Sequence, residues 1–155
     1  MISDRVVELL HGAAFMQLGT RNAHLHPAHT WVVGAVAHPD RETVTLFISE
    51  GRAARPLSDL QDNGRVALTI ALATHEAYQL KGAFLSSRPT GDEDVARQES
   101  YRAKLYAAAL AAGYPDEIAR PFTLGFAFRP GIAITFRAEE AFLQTPGPDA
   151  GTRMT

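Results

Sequence analysis

The chain has 155 residues, 46% of them hydrophobic, which is enough for one compact domain with a substantial core. Its formal net charge of -2 comes with 15 Lys and Arg spread along the sequence and no basic stripe, so nucleic acid is not expected as a main partner. It contains no cysteine, which excludes disulfides, thiolate nucleophiles and Cys-ligated zinc or iron-sulfur centres.

In the first segment, SDRVVELLHG, Ser3 is placed to cap a short helix, Val6, Val7, Leu9 and Leu10 form its apolar side, and Gly12 stops it. Asp4, Arg5 and Glu8 interrupt what would be the apolar core of a signal peptide, and no apolar run is long enough to span a bilayer. A cytoplasmic protein that makes no membrane contact is expected. AFMQLGTR, HTWVVGAVA and TVTLFIS then read as three strands, rich in β-branched and aromatic residues and separated by polar turns.

GRAARPLSDLQDNG follows as a short helix, with Pro56 suited to its first position and Asn63-Gly64 to a left-handed exit. The fourth strand, RVALTIALA, sets Val66, Leu68, Ile70 and Leu72 against a face of small residues that can accept a second layer or a flat ligand. The fifth is AYQLKGAFL. A long helix follows, with Thr90 and Glu93 as its capping box, Tyr101, Leu105, Ala108 and Ala112 as its apolar stripe, and Gly113 as its end. A second short helix begins at Pro115, and GIAITFRA closes the domain with Ile132, Ile134 and Phe136 inward. The domain is expected to run over 1–145, with a helical insertion at about 90–121, and the Pro- and Gly-rich tail 146–155 to be irregular. Many short antiparallel strands with a few attached helices make a mainly β class with added α, a small barrel.

Three histidines fall within HLHPAHTW. His24 and His26 sit at a turn and His29 opens a strand, but no carboxylate lies close by in sequence to complete a metal site, and none is expected. A rim position touching a cofactor or substrate is the alternative to a solvent-facing turn. Arg52 and Arg55 immediately precede a helix, an arrangement suited to an anion, and Ser49 adds a hydroxyl at the strand end. Gln79 and Lys81 face one way on the fifth strand. Trp31, Phe15 and Phe47 can stack on a ring or belong to the core. No acid-base constellation stands out, and catalytic residues are not assigned.

TVTLFISEGRAARPLSDLQDNGRVALTI and YQLKGAFL, with FMQLGTR upstream and FLQTPGP near the end, resemble the pyridoxamine 5'-phosphate oxidase-like flavin proteins of the FMN-binding split barrel. The resemblance implies a split β-barrel of antiparallel strands with a helix between strands three and four and a helical insertion before the last strand. It implies a homodimeric flavoprotein with FMN at the subunit interface, and an oxidoreductase acting on a small-molecule substrate. The implied cofactor-binding residues are Ser49, Arg52, Arg55, Gln79, Lys81, Thr20, His29 and Trp31. F420 and haem are the alternative cofactors, with His75 a further candidate for an axial haem ligand, and a non-catalytic binder of the same fold is the alternative function. Ala54-Arg55-Pro56 stands where the true oxidases carry Ser-Arg-Lys, and their closing Arg-Leu-His-Asp-Arg segment has no counterpart. The resemblance is therefore to an oxidase-like member rather than to an authentic pyridoxamine phosphate oxidase.

Overall fold

The computed structural model describes residues 1–154, and among them the chain forms four α-helices and one sheet of eight antiparallel strands. Helix α1 (Asp4–His11) is capped by Ser3, whose hydroxyl accepts the Val6 N–H, and it buries Val6, Leu9 and Leu10 on one side. Strands β1 (Phe15–Arg21), β2 (Pro27–Trp31), β3 (Ala35–Ala37) and β4 (Thr43–Ser49) precede a single 3-10 turn at Glu50–Arg52 and helix α2 (Ala54–Asn63). Strands β5 (Arg65–Ala71) and β6 (Ala77–Pro89) follow. Helices α3 (Asp92–Ala111) and α4 (Asp116–Thr123) lie before β7 (Gly131–Leu143) and β8 (Arg153–Met154).

The strand order is β2-β1-β5-β6-β7-β4-β3, with β8 beside β7. Between the ends of this order the chain itself forms the join. The Val32 N–H donates to the Met16 carbonyl of β1 at 3.0 Å, and the Val33 N–H donates to the Phe47 carbonyl of β4 at 2.7 Å. The expected second strand, 29–37, is thus two strands with different partners. The break falls at Gly34, with φ +97, where a Cβ would come within 3.4 Å of Tyr101 and 3.5 Å of Phe47.

Alternation fills the barrel. Met16, Leu18, Val44, Leu46, Ile48, Val66, Leu68, Ile70, Leu80, Ile134 and Phe136 are all buried and belong to one cluster with the apolar side of α1. On β4 the other face is buried too, Phe47 being 1% exposed. The apolar side of the first helix thus shares in the main core.

Four local expectations are corrected. Pro56 is the third residue of α2, which starts at Ala54 because the preceding 3-10 turn already carries Ala53 into helical geometry. Helix α3 is capped at Gly91 rather than Thr90. Asp94, not Glu93, accepts the Gly91 N–H at 2.9 Å, while Thr90 is held by the Gly131 carbonyl as a continuation of the β6–β7 pairing. The buried side of α3 runs through Asp94, Gln98, Tyr101, Leu105 and Ala109, so Ala108 and Ala112 lie off it. The tail is not wholly irregular, because Arg153 and Met154 pair with Phe142 and Ala141; Thr155 lies outside the described residues. Gly64, with φ +67, gives α2 its left-handed exit.

Candidate functional site

The strand order brings the C-terminal ends of β2 and β4 and the start of β1 beneath the α3–α4 hairpin. There they enclose a cleft of about 200 Å³. Ser49 and Arg52 line it together with Phe15, Trp31, Tyr101 and Phe122. Arg52 is exposed and makes no hydrogen bond or ion pair with another described residue. Tyr101 is anchored, its hydroxyl donating to the Ala14 carbonyl at 2.8 Å, and burial pushes its phenol far above the ordinary value. It therefore remains a fixed, protonated wall of the cleft.

Arg55 is held differently. Its Nε donates to the Asp59 carboxylate at 2.9 Å and its Nη2 to the His26 carbonyl at 3.3 Å. Asp59 is only 2% exposed and also accepts the Thr20 hydroxyl at 2.8 Å. Thr20 consequently points inward, and the Thr20–Asp59–Arg55 chain ties β1 to α2.

A second constellation lies on the outward face of the sheet. Antiparallel partners share a face, and the registers align His29–Gly19–Ala67–Lys81–Glu140 in one row and Trp31–Gln17–Thr69–Gln79–Phe142 in the next. Gly19 and Ala67 make this face shallow in the middle, and a groove of about 570 Å³ runs over it, lined by His29, Lys81 and Arg65 among others. The Lys81 ammonium sits 4.6 Å from the Phe142 ring centroid. Gly82 is required beside it, since a Cβ there would lie 1.8 Å from the Arg137 carbonyl oxygen at a register shift of the β6–β7 pair.

Of the residues expected to bind a cofactor, Ser49, Arg52 and Trp31 meet in the cleft. Gln79, Lys81 and His29 share the outward face with Trp31, while Arg55 and Thr20 meet at Asp59. Phe15 lines the cleft, whereas Phe47 is core. His24 and His26 are exposed, their rings 6.2 Å apart, and His75 is exposed in the turn between β5 and β6. Among the described residues no three His, Asp or Glu side chains are grouped to hold a metal ion. Sequence reasoning missed Tyr101, Phe122 and Phe126, which the α3–α4 hairpin and the loop after it bring to the cleft. The signal available was the helical spacing of Ile118 and Phe122, large apolar groups left more than 45% exposed.

The fold is the split barrel of the pyridoxamine 5'-phosphate oxidase type. It is similar to that of HupZ from Group A Streptococcus, at 14% identity and TM-score 0.58, over 97% of this chain and 100% of that one. An F420 reductase matches at 14% identity and TM-score 0.57, over 86% and 93% of the two chains. A candidate pyridoxamine 5'-phosphate oxidase from Lactobacillus delbrueckii matches at 14% and 0.54, over 91% and 93%. An FMN-binding protein from Syntrophomonas wolfei matches at 11% and 0.52, over 87% and 80%. No family model matches the sequence, and no curated protein matches it. No helix among the described residues is long and apolar enough to cross a membrane.

Proposed function

We propose that the protein binds FMN as a homodimer and acts as a flavin-dependent oxidoreductase on a small organic molecule. The observation that carries this reading is the pairing, in one cleft, of an unpartnered guanidinium and a hydroxyl with an aromatic wall: Arg52 and Ser49 with Phe15 and Trp31. A phosphate monoester needs charged and hydroxyl donors at one end of its site, and a tricyclic ring needs flat apolar cover at the other. The residues present fit both demands.

At about 200 Å³ the cleft is smaller than the roughly 300–1,000 Å³ of an enclosed ligand site. It would hold the phosphate and part of the ring, and the remainder would lie against the outward sheet face. A second copy seated on that face would complete the site, with Gln79, Lys81 and His29 within its span as donors to the ring edge or ribityl chain. Bound flavin would supply the two-electron chemistry. The chain's part is to fix the phosphate through Arg52, orient the ring against Trp31, and exclude water with the α3–α4 hairpin. No cleft residue is poised as a general acid or base, which agrees with chemistry carried by a cofactor.

Support for a flavin-type ligand also comes from the similar folds of an FMN-binding protein and an F420 reductase. The test is an absorption spectrum of the purified protein, then titration with FMN, F420 and haem alongside light scattering. Flavin bands or saturable FMN binding by a dimer are expected. A Soret band, preferential F420 binding, or a monomer that binds no flavin would overturn the proposal.

A further inference from the structure

Beside the cleft lies an apolar recess of about 320 Å³, bounded by Phe15, Trp31, Tyr114, Ile118 and Phe122 and floored by alanines of α3 and α4. It shares Phe15, Trp31 and Phe122 with the cleft, so an occupant would sit against the same rings. Those three rings form a cluster of tilted and edge-to-face contacts. Trp31 and Phe122 lie 5.4 Å apart at 88°, Phe15 and Phe122 5.6 Å apart at 51°, and Phe15 and Trp31 6.5 Å apart at 64°.

We propose that this recess binds a neutral, planar aromatic molecule of about two fused rings, quinone-like in shape, and that such molecules are the substrate class of the adjoining cleft. The second half of the proposal rests on the flavin reading above. The ring cluster offers both faces and edges, the complement of a further flat ring in offset or edge-to-face contact. No charged side chain lines the recess, so an ionised ligand would lose its hydration without a counter-charge. Its volume stands at the lower end of the roughly 300–1,000 Å³ range of small-molecule sites, which limits the occupant to a compact ring system. Tyr114, Ile118 and Phe122 are 50%, 55% and 47% exposed, a concentration of large apolar surface around the mouth that contributes little to the core.

Trp31 is the sole tryptophan of the chain and lines both the recess and the cleft, so its fluorescence reports an occupant of either, and variants at residues that line only the recess assign the signal. The absence of cysteine also means that menadione, a naphthoquinone, has no thiol to arylate. The protein as purified is titrated with menadione, with 1-decanol as a neutral aliphatic competitor and naphthalene as a neutral aromatic one. Saturable quenching of Trp31 is expected. Ile118→Asp, on an exposed residue that lines only the recess, should weaken menadione binding roughly tenfold or more while leaving FMN affinity and circular dichroism unchanged. Tyr114→Ala serves as a second variant, expected to weaken menadione in the same direction.

Absence of saturable quenching, full binding in both variants, or displacement by 1-decanol as effective as by naphthalene would overturn the proposal. Quenching that survives in a protein shown to bind no flavin would keep the aromatic site and overturn its role as a substrate site. Flavin binding without quenching would do the reverse, leaving the flavin reading and removing this one.

Discussion

Replacing Arg52 and Arg55 one at a time separates a ligand-binding cation from a structural strut. On the proposed reading, Arg52→Ala removes a charge-assisted contact to a phosphate, about 1.5–3 kcal/mol. That corresponds to roughly 10- to 150-fold weaker FMN binding. Because Arg52 is exposed and touches no other described residue by hydrogen bond, stability should change by less than about 0.5 kcal/mol. Arg55→Ala instead strips the Asp59 carboxylate, 2% exposed, of its only cationic partner among the described residues and leaves Thr20 as its remaining side-chain donor there. Breaking a fully buried pair costs about 3–5 kcal/mol, but the Arg55 side chain is 49% exposed and its charge is screened. The loss of stability should therefore be about 1–2 kcal/mol, with FMN binding reduced less than tenfold, roughly one 1.4 kcal/mol step. Flavin fluorescence titration and urea unfolding on the same preparations measure both quantities. The reasoning is refuted if Arg55→Ala weakens FMN more than Arg52→Ala does while its urea midpoint stays at the wild-type value.

Three further substitutions or conditions follow from the same coordinates. Gly82→Ala places a Cβ 1.8 Å from the Arg137 carbonyl and should cost at least about 3 kcal/mol, a fall in Tm of roughly 6–12 °C; a melting curve within about 2 °C of wild type would refute it. Gln98 is fully buried with neither amide atom partnered among the described residues, so Gln98→Met should raise stability by about 1–2 kcal/mol, and a lower urea midpoint would count against that account. His11 lies below its ordinary value of 6.5, first through burial and then through Lys104 and Arg97, and its Nε2 accepts the Ala37 N–H at 3.0 Å, which only the neutral ring can do. The folded pKa is the lower one, so this contribution is complete above about pH 6.5 and is lost as pH falls through the depressed folded value. The hydrogen-exchange protection factor of Ala37 should fall as the pH is lowered below about 6.5; a constant factor would contradict it.

Strands whose two faces differ in chemistry were legible before any coordinates. Thr43–Ser49 and Arg65–Ala71 fall where alternation puts them, because each buries branched aliphatic groups at every second position. The run through Val32 and Val33 read as one strand with its neighbours, since nothing local records that its backbone N–H groups go to two different strands. Along α3 the buried side was misplaced by one position in an alanine-rich stretch, where alanine gives too little contrast to fix a face.

The site shows the same division between local rule and long-range register. Gln79 and Lys81, two apart on β6, necessarily share a face, and so do His29 and Trp31 on β2. That the two pairs share the same face depends on the registers Gly19↔His29, Gly19↔Ala67 and Ala67↔Lys81, which only the assembled sheet supplies. Once those registers are known, parity alone turns Thr20 inward, one residue from Gly19, and its hydroxyl meets Asp59. The Arg55–Asp59 pair, by contrast, was available from spacing, an i,i+4 pair on a helix with the charges free to meet. Weighing that pair would have divided the two arginines from sequence alone: the one with a carboxylate a turn away has a structural partner, and the one without has none within a turn.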